Sequence, residues 1–273
     1  MRRASRLVLI LCAATVAAIL PAQIASAATP IGEYQLQGTL ASSGGVGPAL
    51  TDIGTGNAFQ ADTVNGASRQ VLSFPAHNGL QMSPAGLGSA GFSVVTTFRL
   101  ATVAGYNRIL DLSNNSSDSG LYANDGKADI YVESDGQDHN SASGVFADNT
   151  YATVVFINGD VFAAHSRVFV NGVFATDYSG YLPLMGDTLR FFKDASGGGG
   201  TPNEDSAGAV SCIRVFNGQL SLAEVSAIGT SPTCGYSAPA SPATPAKHKK
   251  KCKKKHKKRA ATTAKKCKKK HRR

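Results

Sequence analysis

The chain has 273 residues and a formal charge of +10, from 28 Lys and Arg against 18 Asp and Glu, but the two signs are segregated. All 18 acidic residues fall between residues 28 and 236 beside only 8 basic ones, whereas residues 247 to 273 carry 14 Lys and 3 Arg. The pooled charge therefore describes neither region, and no apolar run of about 18 residues follows the N-terminal one, which argues against a membrane-crossing helix.

At the N-terminus, Arg2, Arg3 and Arg6 precede an apolar run from Leu7 to Leu20, Pro21 breaks it, and Ala25-Ser26-Ala27 supplies the small residues of a signal-peptidase site. The pattern predicts a cleaved signal peptide over 1–27, a mature chain from Ala28, and a secreted or cell-envelope location. Cys12 lies inside the apolar run and reads as part of the leader, because the residue before it is not small and the run continues past it.

The middle of the chain is punctuated like a series of hairpins. In "FSVVTTFRL" (92–100), Phe92, Val94, Thr96, Phe98 and Leu100 share one face and Ser93, Thr97 and Arg99 the other, as a half-buried strand requires. Asp125-Gly126 separates "GLYA" from "KADIYVE", and Asp135-Gly136 follows. Asn158-Gly159 ends "YATVVFI", and Asn171-Gly172 stands between two β-branched and aromatic runs in "SRVFVNGVFAT", the strongest short-range signal for a type I′ hairpin. These signals predict an all-β domain over 28–236, an antiparallel β-sandwich.

The domain closes on a change of period. Val210, Cys212, Arg214 and Phe216 alternate with Ser211, Ile213 and Val215 as a last strand with apolar residues on both faces. Ser221 with Glu224 three residues later forms a capping box for a short helix from Leu222 to Ile228, stopped by Gly229. Cys212 and Cys234 make the even cysteine count that an oxidising compartment favours, and the sequence predicts a disulfide between them.

Residues 237–246, "SAPASPATPA", read as an extended linker. Beyond it "KKCKKKHKK" (250–258) returns as "KKCKKKHRR" (265–273), a repeated block with a polyanion-binding character. The lysines assigned to that role are Lys250, Lys251, Lys253, Lys254, Lys255, Lys265, Lys266, Lys268, Lys269 and Lys270. Mutual repulsion predicts a disordered tail whose partner is a wall polymer, anionic lipid, shed nucleic acid or the chain's own acidic domain; export argues against specific nucleic-acid binding. His248, Cys252, His256, Cys267 and His271 have helical spacing, but the surrounding positive charge, with no carboxylate, disfavours zinc; disulfides between tail cysteines suit the compartment better.

The ordering of the central and final elements resembles the laminin G-like domains of the concanavalin A-like lectin and glucanase superfamily. Gly208 with "VSCIRVFN" and "GQLSLAE" is similar to that family's closing strand and helical turn, and "FSVVTTFRL", "YATVVFINGDVFAAHSRVFVNGVFA" and "GEYQLQGTL" (32–40) are similar to its first core strand, central hairpin and opening strand. Ser211 stands where the family usually has aspartate, Phe98 and Tyr151 where tryptophans are common, and the chain has no Trp. The resemblance implies a jelly-roll sandwich and a non-catalytic module that binds a glycan or a surface protein through rim loops, often with a calcium ion, or through one face of the sandwich.

Two loops offer oxygen ligands for that ion: "SNNSSDSG" (113–120) with Asp118 and the nearby Asn114 and Asn115, and "PNEDSAG" (202–208) with Glu204 and Asp205. Turns capped by Asx side chains explain the same stretches without a metal. Tyr178 and Tyr181, in "TDYSGYLPLMG", are the candidates for sugar stacking. The alternative is a polysaccharide-active hydrolase with an atypical site. Its branch of the superfamily uses E-x-D-x-x-E, with two carboxylates about 5 Å apart. Glu133-Ser134-Asp135-Gly136-Gln137-Asp138 departs at its last position and contains a turn signal that would splay the carboxylates. His77, His139 and His165 read as isolated surface histidines, and "SGGGGT" (196–201) as a flexible loop.

Overall fold

The computed structural model describes residues 28–87, 91–159, 165–194 and 204–237. The expected signal peptide, the glycine run at 196–201, the linker past Ser237, and the lysines, cysteines and histidines of the tail lie outside the described residues. The strands, in chain order, are β1 (Thr29–Tyr34), β2 (Thr51–Ile53), β3 (Ala58–Val64), β4 (Ala67–Phe74), β5 (Gly79–Met82), β6 (Phe92–Leu100), β7 (Tyr106–Asp111), β8 (Gly120–Asn124), β9 (Lys127–Val132), β10 (Gln137–Asn140), β11 (Ala152–Asn158), β12 (Ser166–Val170), β13 (Val173–Tyr178), β14 (Leu189–Phe191) and β15 (Gly208–Asn217); the helix α1 (Leu222–Ile228) follows.

They form two antiparallel sheets. One runs β13-β12-β11-β6-β15-β4-β3, with β1 also paired to β15; the other runs β10-β9-β8-β7-β14-β5-β2. Between the sheets lies one core, to which β6 gives Phe92, Val94, Phe98 and Leu100, and β8 and β9 give Leu121, Ala123, Ala128 and Ile130. Each fully buried side chain of the larger kind contributes about 1.5–3 kcal/mol.

The hairpin signals are realised in backbone geometry. Asp125 and Gly126 join β8 to β9 with φ of 49° and 75°, and Asn171 and Gly172 join β12 to β13 with 54° and 79°, the double left-handed turn that type I′ demands. Asn65-Gly66 does the same between β3 and β4, at 48° and 83°. Asn158-Gly159 does not. Asn158 is the last residue of β11, and its side chain is buried because it is fully used: its Nδ2 donates to the Leu182 carbonyl at 2.7 Å and its Oδ1 accepts from Leu182 N at 2.9 Å and Ser166 Oγ at 2.8 Å.

The half-buried strand expected at 92–100 is buried on both sides. Outward-facing Val95 of β6, Val155 and Ile157 of β11, and Cys212 and Phe216 of β15 pack under Leu220, Val225, Ile228 and Cys234. The predicted capping box forms, with Ser221 Oγ accepting from Glu224 N while the Glu224 carboxylate accepts from Ser221 N. Cys212 and Cys234 are bonded, at a Cα–Cα distance of 6.0 Å, so the chain returns onto its own last strand.

The simple alternation expected of β15 fails at one point. A bulge between Val210 and Cys212 leaves Ser211 as the extra residue, and its hydroxyl donates to the Pro232 carbonyl at 2.7 Å. Val210 therefore faces the central core with Ile213 and Val215, while Cys212 and Phe216 face the helix. The opening strand is also displaced from its expected place: β1 starts at Thr29 and ends at Tyr34.

Candidate functional site

Three connections meet at one rim of the sandwich: 112–119 between β7 and β8, 133–136 between β9 and β10, and 179–188 between β13 and β14. They enclose a groove of about 500 Å³ that takes in Tyr178, Tyr181, Met185, Glu133 and the serines of the first connection. The structure thus brings together three stretches that the sequence offers separately.

Each wall is held for a local reason. Asp111, at the end of β7, accepts from Ser113 N and Ser113 Oγ at 2.7 Å through one oxygen and from Asn115 N at 3.0 Å through the other. Asn114 and Asn115 adopt φ of 49° and 68°, a conformation their side chains tolerate. The loop is therefore the Asx-capped turn that the metal-free reading describes. The opposite wall is pinned twice, by the two Asn158 bonds to Leu182 and by Met185 N donating to the Leu112 carbonyl at 2.8 Å. Tyr181 and Met185 stay 39% and 47% exposed at the mouth, far more than apolar side chains that serve only packing. Tyr178 lies deeper, its ring 4.7 Å from that of His139. Gly180 is fixed by this ring: a Cβ there would stand 2.2 Å from a Tyr178 ring carbon.

Behind the groove sits a buried ion cluster. Arg108 of β7 is 1% exposed, and its guanidinium lies 4.1 Å from the centre of the Tyr122 ring. Its Nη2 donates to Asp118 Oδ1 at 2.6 Å and Asp194 Oδ1 at 2.9 Å, its Nε to Asp194 at 3.1 Å, and its Nη1 to the carbonyls of Asp118 and Ser119 at 3.1 and 3.2 Å. Burial works against this charge, but the carboxylates of Asp194 and Asp111, with the Asp194 hydrogen bonds, outweigh it and hold the guanidinium above its ordinary value. Burial also pushes the Tyr122 hydroxyl far up, so it acts as a donor, reaching Asp118 Oδ1 at 2.7 Å. Gly120 makes the cluster possible, since a Cβ there would lie 2.2 Å from Arg108 Nη1.

Asp118, Asp194 and Glu204 each place an oxygen within 4.8 Å of the others, the spacing of a metal site. The donor set does not suit calcium, which needs six to eight oxygens, because Asp118 and Asp194 already face a fixed guanidinium whose charge would repel a second cation. Of the two candidate loops, the first contributes Asp118 and the second contributes Glu204 to this cluster, but not Asp205. Asp205 turns away from Asp118, accepting from His77 N at 2.9 Å and Lys193 Nζ at 3.1 Å, and its neighbour Glu204 joins Asp118 instead. Arg108 and Asp194 were missed by the sequence reading, for they are 86 residues apart and nothing local marks them.

The three carboxylates of the hydrolase alternative point to separate partners. Glu133 Oε2 accepts from Asp118 N at 3.0 Å, Asp135 Oδ1 from Gln137 N at 2.9 Å, and Asp138 Oδ2 from the Tyr106 hydroxyl at 2.8 Å. A different acidic neighbour of Asp138 is perturbed: Asp129, buried on β9, is pushed up to about 7 by burial and then by the charge of Asp138, with Asn124 Nδ2 donating to it at 3.1 Å. The histidines are not isolated: His77, His139 and His165 lie beside Asp205, Asp135 and Asp177 at 2.9, 3.5 and 2.5 Å.

Comparison with known structures gives the same architecture. Domain 4 of AbnA, a GH43 extracellular arabinanase from Geobacillus stearothermophilus, in complex with arabinotriose, superposes with a TM-score of 0.54 at 12% identity, covering 75% of this chain and 100% of that one. The botulinum neurotoxin serotype C1 binding domain gives 0.54 at 12% identity, with 75% of this chain covered and 52% of the toxin chain. The binding domain of botulinum neurotoxin DC in complex with SialylT gives 0.53 at 14% identity, again over 75% of this chain and 51% of the other. This chain thus spans about half of those toxin chains, and at such identities the likeness is one of fold. A search of curated proteins gives no match. A laminin G family model, described as concanavalin A-like lectin/glucanases superfamily, matches residues 74–226, more than half of the chain, so the protein belongs to that family.

Proposed function

We propose that the protein is a secreted, non-catalytic binding module that recognises carbohydrate through the rim groove and is retained on anionic envelope polymers by its lysine-rich tail. The observation that carries the first part is the groove itself, where Tyr181 and Met185 present apolar surface at the mouth beside five serine hydroxyls. A sugar offers the matching pattern of C–H faces and hydroxyls. Neighbours in complex with arabinotriose and SialylT support a glycan over other small ligands. The separate partners of Glu133, Asp135 and Asp138 support binding without turnover. The 14 Lys and 3 Arg of the tail support attachment to a polyanion.

A glycan array probed with the full chain and with Tyr181→Ala tests the groove. Loss of an exposed aromatic contact weakens affinity by about three- to tenfold at an unchanged melting temperature. Binding that survives intact in the variant moves recognition elsewhere. For the tail, envelope retention of the full chain and of a truncation after Ala246, at about 0.1 M and 1 M salt, differs strongly only at the lower concentration, where the Debye length is about 10 Å and not about 3 Å. Equal retention of both forms removes the tail as an anchor.

A further inference from the structure

We propose, resting on the reading of the rim groove as a glycan site, that the groove selects neutral saccharides and rejects acidic ones, and that Glu133 is the residue that discriminates. Five serines, two tyrosines and five apolar side chains line the groove, and its single charged residue is Glu133. Among the described residues no Lys, Arg or His borders it. Arg108, the cation held behind Asp118, is buried with its donors committed to Asp118, Ser119 and Asp194, so it cannot turn toward a ligand. The surrounding domain adds to the sign: 18 acidic residues against 8 basic ones between residues 28 and 236.

The geometry of Glu133 gives the selection a direction. Its Oε2 accepts from Asp118 N at 3.0 Å and its own N donates to Ser119 Oγ at 3.0 Å, which ties it to the neighbouring serine loop. Oε1 has no hydrogen-bond partner among the described residues, and the residue is exposed. An ionised carboxylate held this way accepts a sugar hydroxyl in a charge-assisted bond, stronger than a neutral one. A sugar carboxylate brought to the same place has no donor cation to meet and faces a like charge while losing its water. The tail carries the opposite preference, so one chain would hold a neutral ligand at the domain and an acidic polymer at the tail.

The test measures binding of full-length protein to neutral oligosaccharides, arabinotriose among them, and to the same backbones capped with sialic or uronic acid, for the wild type, Glu133→Gln and Tyr181→Ala. Glu133→Gln keeps an oxygen that can accept from Asp118 N, and a melting curve checks the fold. The expected result is that the affinity for capped relative to uncapped ligands rises several-fold from wild type to Glu133→Gln as the neutral affinity falls, the scale of one hydrogen bond to a charged group. Tail attraction for capped ligands is common to all three proteins, so the change between wild type and Glu133→Gln isolates the groove. A capped-to-uncapped ratio that Glu133→Gln leaves unmoved overturns the selectivity while leaving the glycan site standing. Binding that Tyr181→Ala does not weaken, or no binding to any oligosaccharide, overturns the glycan site and the selectivity with it.

Discussion

Over the sheet that holds β6, β11 and β15 the outer surface is apolar and sealed by the C-terminal segment, whereas the outer surface of the β7-β8-β9 sheet carries tyrosines, carboxylates and one buried arginine. Tyr106, Tyr122 and Tyr131 stand edge to face across it, with ring centres 5.7 and 6.3 Å apart. The difference separates two tasks. The apolar seal is fastened covalently and adds buried apolar contact. The polar surface is held by directional contacts that continue into the rim: Asp118 accepts from Arg108 and Tyr122 through its side chain and donates through its N–H to Glu133 Oε2, so the same residues that satisfy a buried charge also set one wall of the groove.

The comparison breaks hardest at Arg108. Arg108→Ala strands Asp118 and Asp194 without their cation, and removal of one partner of a buried pair costs about 3–5 kcal/mol. Chemical unfolding measures it, and a loss below about 1 kcal/mol would mean the carboxylates find water easily. On the apolar side, Cys212→Ser with Cys234→Ser opens a loop of separation 22 and costs about 3 kcal/mol, with glycan binding kept because the groove lies on other connections. A variant equally stable to the wild type would show that the apolar contacts suffice.

The smallest effect distinguishes the surfaces by pH. Asp129 is pushed up to about 7 from its ordinary 3.8, first by burial. Its stabilising contribution is then fully present below the unfolded value and is lost as pH rises through about 7. Asp138, Asn124 and, through Asp138, Tyr106 are the groups that face it. The wild type therefore loses on the order of 1 kcal/mol between mildly acid and mildly alkaline solution, and Asp129→Asn, which keeps the shape of the neutral acid, flattens that slope. Melting curves at matched ionic strength report it; parallel slopes in both proteins would place the titration elsewhere.

The parts of this architecture that were legible in the sequence are those decided locally. Asp125-Gly126 and Asn171-Gly172 specify their turns by dihedral angle, Ser221 and Glu224 cap their helix within one turn, and β6 shows its period in nine residues. Tyr178, Tyr181 and the 113–120 loop were each visible, but only the folded chain shows that they share a groove. What stayed hidden depends on partners far along the chain. The Ser211 bulge is set by Pro232, the burial of Asn158 by Leu182, and the Arg108 cluster by Asp194. A bulge in particular leaves no compositional trace, because one inserted serine in an apolar strand reads as ordinary alternation.

One pairing carries a consequence for assembly. β1 joins β15, with Thr29 opposite Asn217, and β15 in turn borders β4 and β6, so the first of the described strands is paired only by the last. A nascent chain halted before Gly208 would present three unmatched strand borders at once, and long-range closure of this kind is slow. One ten-residue segment therefore completes the β1, β4 and β6 borders together.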